Sequence, residues 1–268
     1  MATVATLVSA ALLPGFTGVS VGPAGGQVLR GRFPGTERPG YVYLPPSFDP
    51  RVRYPVVYLL HGMPGSPAEY VDGTQLTQFA DAAVADASLR PFIAIVPAAG
   101  ADGHYNGEWA GPWEHILVDH VVPWVDGHLP TEATASGRVI AGLSAGGYGA
   151  VDIGLRNPSL FGTIESWSGY FRPLHDGPFK DATRDVLAAN DPTQLVRSEV
   201  PALRRAKTRF FVSTGPAHSH WAPPADTIEF GSELRAYGIP CTVRAYGGRG
   251  GQWSRQLADG LRWAFSAT

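Results

Sequence analysis

The sequence predicts an α/β fold: a mostly parallel, twisted sheet with helices on both faces and an antiparallel N-terminal hairpin. Three observations predict it. From Tyr54 onward, short apolar runs alternate with segments of helical length, the pattern of parallel strands joined by right-handed helical crossovers. The runs are apolar at every position rather than at every second one, as in strands buried on both faces. Of 268 residues, 44% are hydrophobic and 16% charged, with 33 Gly and 24 Pro; that composition suits many turns around one core and excludes a disordered chain.

The elements follow in order. Residues 1–29 hold no Asp, Glu, Lys, Arg or His, so residues 1–26 are set apart as an uncharged apolar segment. Ala2–Leu13 is apolar enough for the core of an export signal but lacks the basic residues that precede one. Pro14-Gly15 interrupts it short of the ~20 residues of a membrane span. It reads as a trimmed export or membrane segment, through which the protein would associate with a membrane, as an unusual signal peptide, or as strands leading into the fold. Residues 27–268 read as a single domain without repeats or linkers. Gln27–Phe33 and Gly40–Leu44 form the hairpin. Val56–Leu60 is a buried strand, Thr74–Ala87 a helix with Leu76, Phe79, Ala80 and Val84 on one face, and Phe92–Val96 a strand closed by Pro97. Trp113–Leu129 is a helix that directs Ile116, Val121 and Trp124 inward and kinks at Pro123. Arg138–Leu143 is a strand, and Ala145–Arg156 a helix of small residues stopped at Asn157-Pro158. Ile164–Trp167 and Arg209–Ser213 are strands, and Asp191 caps a helix that starts at Pro192. Thr227–Tyr237 is a helix ended by Gly238, Cys241–Tyr246 a strand, and Trp253–Phe265 the last helix.

Lys and Arg total 21 against 23 Asp and Glu, a formal charge of −2. Without a basic excess, no nucleic-acid partner is expected. A lone cysteine, Cys241, excludes an intrachain disulfide and a cysteine-rich metal site. No other metal-ligand spacing and no phosphate-cradling glycine loop appears, so neither metal nor cofactor is expected. The apolar N-terminus tilts the expected location toward the cell envelope or beyond it. Oligomeric state is not legible.

The segment Arg138-Val-Ile-Ala-Gly-Leu-Ser-Ala-Gly-Gly-Tyr-Gly-Ala150 carries the chemistry. Gly142-Leu-Ser-Ala-Gly146 places a serine between glycines where an apolar strand meets a helix. A tight turn there needs small neighbours two residues either side, and it lifts the serine hydroxyl above the sheet edge as a nucleophile. The helix that follows aims backbone N–H groups at the site of a developing oxyanion. The bland alternative is a turn whose serine caps the helix. Upstream, Val57-Tyr-Leu-Leu-His-Gly-Met-Pro-Gly65 ends a buried strand in His-Gly and an irregular loop. Such a loop supplies the second oxyanion donor, so the candidate donors are the N–H groups of Met63 and Ala145. His61 is expected to be structural.

With Tyr41-Val-Tyr-Leu-Pro-Pro46, Phe161-Gly-Thr-Ile-Glu-Ser-Trp-Ser-Gly169 and Gly260-Leu-Arg-Trp-Ala-Phe265, these motifs resemble the esterase D branch of the α/β-hydrolases, which includes feruloyl esterases and mycobacterial mycolyltransferases. The resemblance spans residues 27–266. It implies an α/β-hydrolase fold and a serine esterase that cleaves small-molecule, lipid or sugar esters through an acyl-enzyme on Ser144; acyl transfer would use the same intermediate. Family members carry an acid after the strand that ends in Thr-Gly and a histidine after the last strand. Here Pro216-Ala-His-Ser-His-Trp221 follows the first, and Tyr246-Gly-Gly-Arg-Gly-Gly-Gln-Trp253 follows the second. All eight histidines precede Trp221, and only His175, His218 and His220 follow Ser144. Three accounts fit: a base relocated to His218 or His220, oriented by Asp176 or Asp226; a degenerate site kept as a binding module; or His175 as base. Triad roles depend on geometry, not chain order, and the relocated base is the leading account. Arg249 stands where histidine is expected and cannot accept a proton; it is a candidate for binding a substrate carboxylate. Tyr170, Phe171 and Trp221, with Tyr105, Trp109 and Trp113, lie in loops and are candidates for an apolar substrate wall, with packing beneath the loops as the plain alternative.

Overall fold

The computed structural model describes residues 12–100, 109–215, 222–247 and 252–267. Nine strands form one sheet: β1 (Thr17–Val21), β2 (Gln27–Gly31), β3 (Gly40–Leu44), β4 (Val56–Leu60), β5 (Ile93–Val96), β6 (Arg138–Leu143), β7 (Thr163–Trp167), β8 (Arg209–Thr214) and β9 (Cys241–Ala245). Their spatial order is β1-β2-β3-β5-β4-β6-β7-β8-β9. The pairs from β1 to β5 are antiparallel and those from β5 through β4 to β9 parallel. The helices are α1 (Leu76–Ala85), α2 (Pro112–His115), α3 (Val122–His128), α4 (Ala145–Arg156), α5 (Arg184–Ala188), α6 (Pro192–Ala206), α7 (Pro224–Ala236) and α8 (Gln252–Phe265).

Alternation along β4 assigns the two faces. Val56, Tyr58 and Leu60 join Val121, Val125, Val151, Val196 and Phe230 in one core layer. Val57 and Leu59 join Leu76, Ala80, Leu257 and Leu261 in the other. Helices α2–α4, α6 and α7 therefore cover one face, and α1 and α8 the other. β4 lies between β5 and β6, where the winding direction reverses; the crevice outside the carboxyl ends of such strands is where open α/β sheets hold ligands.

One element differs from the sequence reading, and two others extend it. Residues 112–128 are not one kinked helix: a π-helical turn, Ile116–Val121, separates α2 from α3. Pro123 sits in the first turn of α3, directly after the π-helical turn. The helix begun at Pro192 runs to Ala206, and the Asp191 carboxylate accepts the Thr193 N–H at 2.9 Å. In front of the expected hairpin, β1 adds a strand whose side chains are exposed. Leu13 and Phe16 are buried beside it, with the Phe16 ring 5.0 Å from Phe33 and 5.5 Å from Trp124. The turn between β1 and β2 is tied to α1 by Asp81, which accepts the Ala24 and Gly26 N–H groups and the Tyr43 hydroxyl at 2.9–3.0 Å. Residues 1–11 of the apolar N-terminal segment lie outside the described residues. Among the described residues no helix is long and apolar enough to cross a membrane.

Candidate active site

Ser144 follows β6 and precedes α4 at φ 51°, ψ −116°, a conformation that costs a side-chain-bearing residue about 1–3 kcal/mol. Its surroundings hold it there. The Ser144 N–H donates to Trp167 O, and Ser144 O accepts the Tyr148 N–H, both at 3.0 Å. The motif's glycines are steric necessities: a Cβ on Gly142 would lie 2.2 Å from the Gly146 carbonyl, and one on Gly146 would lie 1.9 Å from Leu60 O. The serine side chain does not cap α4, which removes the capping role as the reason for a serine here. Ala145 opens the helix, and its N–H is one of the four that helix geometry leaves without an internal acceptor.

The loop after β4 is fixed from both sides. His61 is fully buried; its Nε2 accepts the Ala99 N–H at 3.1 Å, so Nδ1 carries the proton and donates to Gly62 O at 3.0 Å. Trp109 Nε1 donates to His61 O at 3.0 Å. Burial pushes the imidazole down to about 4, so it stays neutral and acts as the structural residue expected of it. On the other side the Glu69 carboxylate, its pKa raised by burial, accepts the Gly62 and Ser66 N–H groups at 3.4 and 3.3 Å. Met63, the candidate oxyanion donor, stands between those two anchors.

Both motifs open on one cavity of about 690 Å³ at the carboxyl edge of the sheet. Ser144 and Ala145 form part of its floor, with Ser168 and Thr214 from the ends of β7 and β8. Met63, Pro64, Tyr170, Leu174, Ala222 and Trp253 give it mostly apolar walls, and His175, Asp176 and Gln252 complete them. Tyr170 stacks on Tyr148 with ring centroids 5.2 Å apart. Asp176 Oδ1 is buried without a hydrogen-bond partner among the described residues. Asp226 instead borders a small separate depression beside Arg172 and Glu229.

Phe171 is a correction. It does not wall this cavity; its ring is 3% exposed and stacks on Phe230 at 4.2 Å, beneath the loops and within the core. Trp109 is likewise buried behind His61, and Trp113 packs on the main core. His218, His220, Trp221 and Arg249 lie outside the described residues, as does Tyr105. Sequence reasoning missed Ser168 and Gln252. Ser168 had one available signal, its position just past a strand of the parallel sheet; Gln252 had another, its place at the head of the last helix.

The profile of the family described as "Putative esterase" matches residues 32–263. The chain belongs to this esterase family. The resemblance to the esterase D and feruloyl esterase branch holds. An endo-1,4-beta-xylanase/feruloyl esterase of Xylanibacter ruminicola is 31% identical over 194 residues, which cover 66% of this chain and 26% of that protein. The chain thus spans about a quarter of that relative's length. In fold, the esterase superposes on a ferulic acid esterase with a TM-score of 0.70 at 21% identity, covering 93% of this chain and 96% of the other. An S-formylglutathione hydrolase of Staphylococcus aureus gives 0.68 at 17% identity, covering 89% and 98%.

Proposed function

We propose that this esterase cleaves its substrate through an acyl-enzyme on Ser144. The observation that carries the reading is the strained turn that presents an uncapped serine to an apolar cavity. The Ser144 oxygen attacks the ester carbonyl carbon while its proton passes to a histidine. The tetrahedral oxyanion is held by the N–H groups of Met63 and Ala145. The alcohol leaves with the proton from the histidine, and water, activated by the same base, releases the acid.

The base in this reading is His218 or His220, whose loop follows β8, with Asp176 orienting it. The buried Asp176 oxygen, without a hydrogen-bond partner among the described residues, supports that pairing over Asp226, which borders a separate depression. One observation favours a second base, His175: it lines the same cavity as Ser144. The described cavity walls, Tyr170 among them, suit an apolar acyl or aromatic group; the reading assigns Trp221 to the same group and Arg249 to a substrate carboxylate from their places in the sequence, so the proposed substrate class is a small-molecule, lipid or sugar ester. The same acyl-enzyme serves transfer to an acceptor alcohol. An envelope or extracytoplasmic location is part of the proposal and rests on the apolar N-terminus.

A fluorophosphonate probe tests the reading. It should label Ser144, and Ser144→Ala should abolish both labelling and turnover of p-nitrophenyl butyrate. Folded protein that neither labels nor turns over would mark a non-catalytic binding module.

A further inference from the structure

His61 is buried too deeply to meet a substrate, yet its ring holds the peptide unit that carries the candidate oxyanion donor. Nδ1 donates to the carbonyl of Gly62 at 3.0 Å. That carbonyl and the Met63 N–H belong to one peptide unit, which is trans. A peptide unit is planar, and in the trans form its C=O and N–H point to opposite sides. Whatever fixes the Gly62 carbonyl therefore fixes the direction of the Met63 N–H.

Further contacts keep the ring and the peptide in register. The imidazole Nε2 accepts the Ala99 N–H at 3.1 Å, which leaves the ring proton on Nδ1. The Trp109 ring meets the imidazole edge-on with centroids 5.2 Å apart, and its Nε1 donates to His61 O. Glu69 holds the other end of Gly62 by its N–H. Gly62 also lies against the nucleophile: a Cβ built on it would sit 3.4 Å from Ser144 Cβ. The aimed peptide thus adjoins the serine that would attack. Donation to its carbonyl polarises the peptide and strengthens its N–H as a donor.

We propose that His61 is a positioning residue for the oxyanion: by holding the Gly62 carbonyl it aims the Met63 N–H at the oxygen that becomes charged when Ser144 attacks. This rests on the acyl-enzyme reading above. Without the ring's donation the peptide plane turns about the bonds that flank it, and Gly62, having no side chain, resists little. The bond from Met63 strengthens as charge develops on the substrate oxygen, so its loss falls on kcat more than on KM. A histidine that served packing alone would move stability and leave that split untouched.

Two amide side chains separate the two contacts of the ring. Asparagine places Nδ2 where the imidazole has Nδ1 and keeps the donation to Gly62 O. Glutamine places Oε1 near the position of Nε2 and keeps the bond from the Ala99 N–H. Each variant loses one buried hydrogen bond, so both should melt below wild type. With p-nitrophenyl butyrate, His61→Gln should lower kcat at least ~10-fold, toward the ~10²–10³ that a lost oxyanion donor costs, with KM within about 2-fold. His61→Asn should keep kcat within about 3-fold of wild type. A trifluoromethyl ketone, whose adduct on serine carries the same oxyanion, should lose affinity for the glutamine variant by the factor seen in kcat/KM. Equal kcat in the two variants, or a larger loss in asparagine, overturns the inference. If the glutamine variant does not fold, asparagine decides alone: wild-type kcat upholds the inference and a fall of about tenfold overturns it. An asparagine variant that does not fold also overturns it, since the ring would then serve the core alone. If wild type neither turns over the ester nor takes the fluorophosphonate, the acyl-enzyme reading fails and takes this inference with it; in an active wild type the variants test the inference by itself.

Discussion

One added methyl group at Gly146 should disable the reactive turn without touching a reacting atom. A Cβ there would lie 1.9 Å from Leu60 O, 2.5 Å from Leu60 C and 2.8 Å from His61 O. All three are backbone atoms, at the end of a strand hydrogen-bonded on both sides, and none can rotate away. Restoring a carbon–oxygen separation of about 3.3 Å requires more than about 1 Å of movement between α4 and the end of β4. Overpacking of this kind costs about 1–3 kcal/mol, and each kcal/mol lowers Tm by about 2–4 °C in a domain near this size. The larger effect falls on rate. The displacement separates Ser144 and Ala145 on one side from Met63 on the other, and misplacement of about 1 Å costs ~10². Gly146→Ala should therefore lower both kcat/KM for p-nitrophenyl butyrate and the rate of fluorophosphonate labelling by ~10² or more, with Tm down by several degrees. Gly127→Ala is the control: a Cβ in that helix meets nothing within 4 Å, and the change should raise stability by about 0.4–1 kcal/mol with rates unaltered. A Gly146→Ala protein with wild-type labelling and Tm would refute the steric reasoning.

Other outcomes follow from single contacts. Alanine at the true base should cut turnover by at least ~10² with folding intact; full activity in both His218→Ala and His220→Ala would transfer the role to His175. Phe16→Ala removes a buried ring that meets Phe33 edge-on and stacks on Trp124 and should cost about 3 kcal/mol, read as a fall in Tm of ~6–12 °C; an unmoved Tm would mean that the ring contributes nothing to the fold. Burial pushes the Glu165 carboxyl from 4.5 up to about 8, against the Trp167 N–H and the Arg209 guanidinium, which favour its charged form. The folded state thus keeps a proton that the unfolded chain has lost. Glu165 adds nothing against stability below about pH 4.5, weakens it progressively up to about pH 8, and adds no further slope above that. Glu165→Gln should flatten that part of the decline in Tm, and parallel wild-type and variant profiles would contradict the assignment.

What was legible in the sequence is what steric necessity or full burial writes locally. β4 and β6 are buried at every position, and continuous apolar runs announce them. The turn at Ser144 is legible because its glycines are required by atoms a few residues away or in the partner strand. The π-helical turn at Ile116–Val121 is not legible, because a change of hydrogen-bond register leaves the order of residue types untouched. The length of α6 escaped notice because only Pro192, Val196 and Leu203 are buried in it, too sparse a stripe to mark a helix. Phe171 was read as a pocket wall from its loop position, but the ring that captures it, Phe230, belongs to a distant helix. Ser168 carries no motif; its place is set by contacts with β8 and α8 that only folding brings together.

The angle at Ser144 also limits what evolution can do with the position. A hydroxyl is not enough to qualify. Threonine offers one, but its branched Cβ is poorly tolerated at positive φ and stiff in χ1, so Ser144→Thr keeps the functional group and forfeits its direction or its turn. Cysteine has the same branching as serine and enters the same backbone well, exchanging only oxygen for sulfur. Routes away from serine at φ 51° are therefore open toward a different element and closed toward a bulkier alcohol.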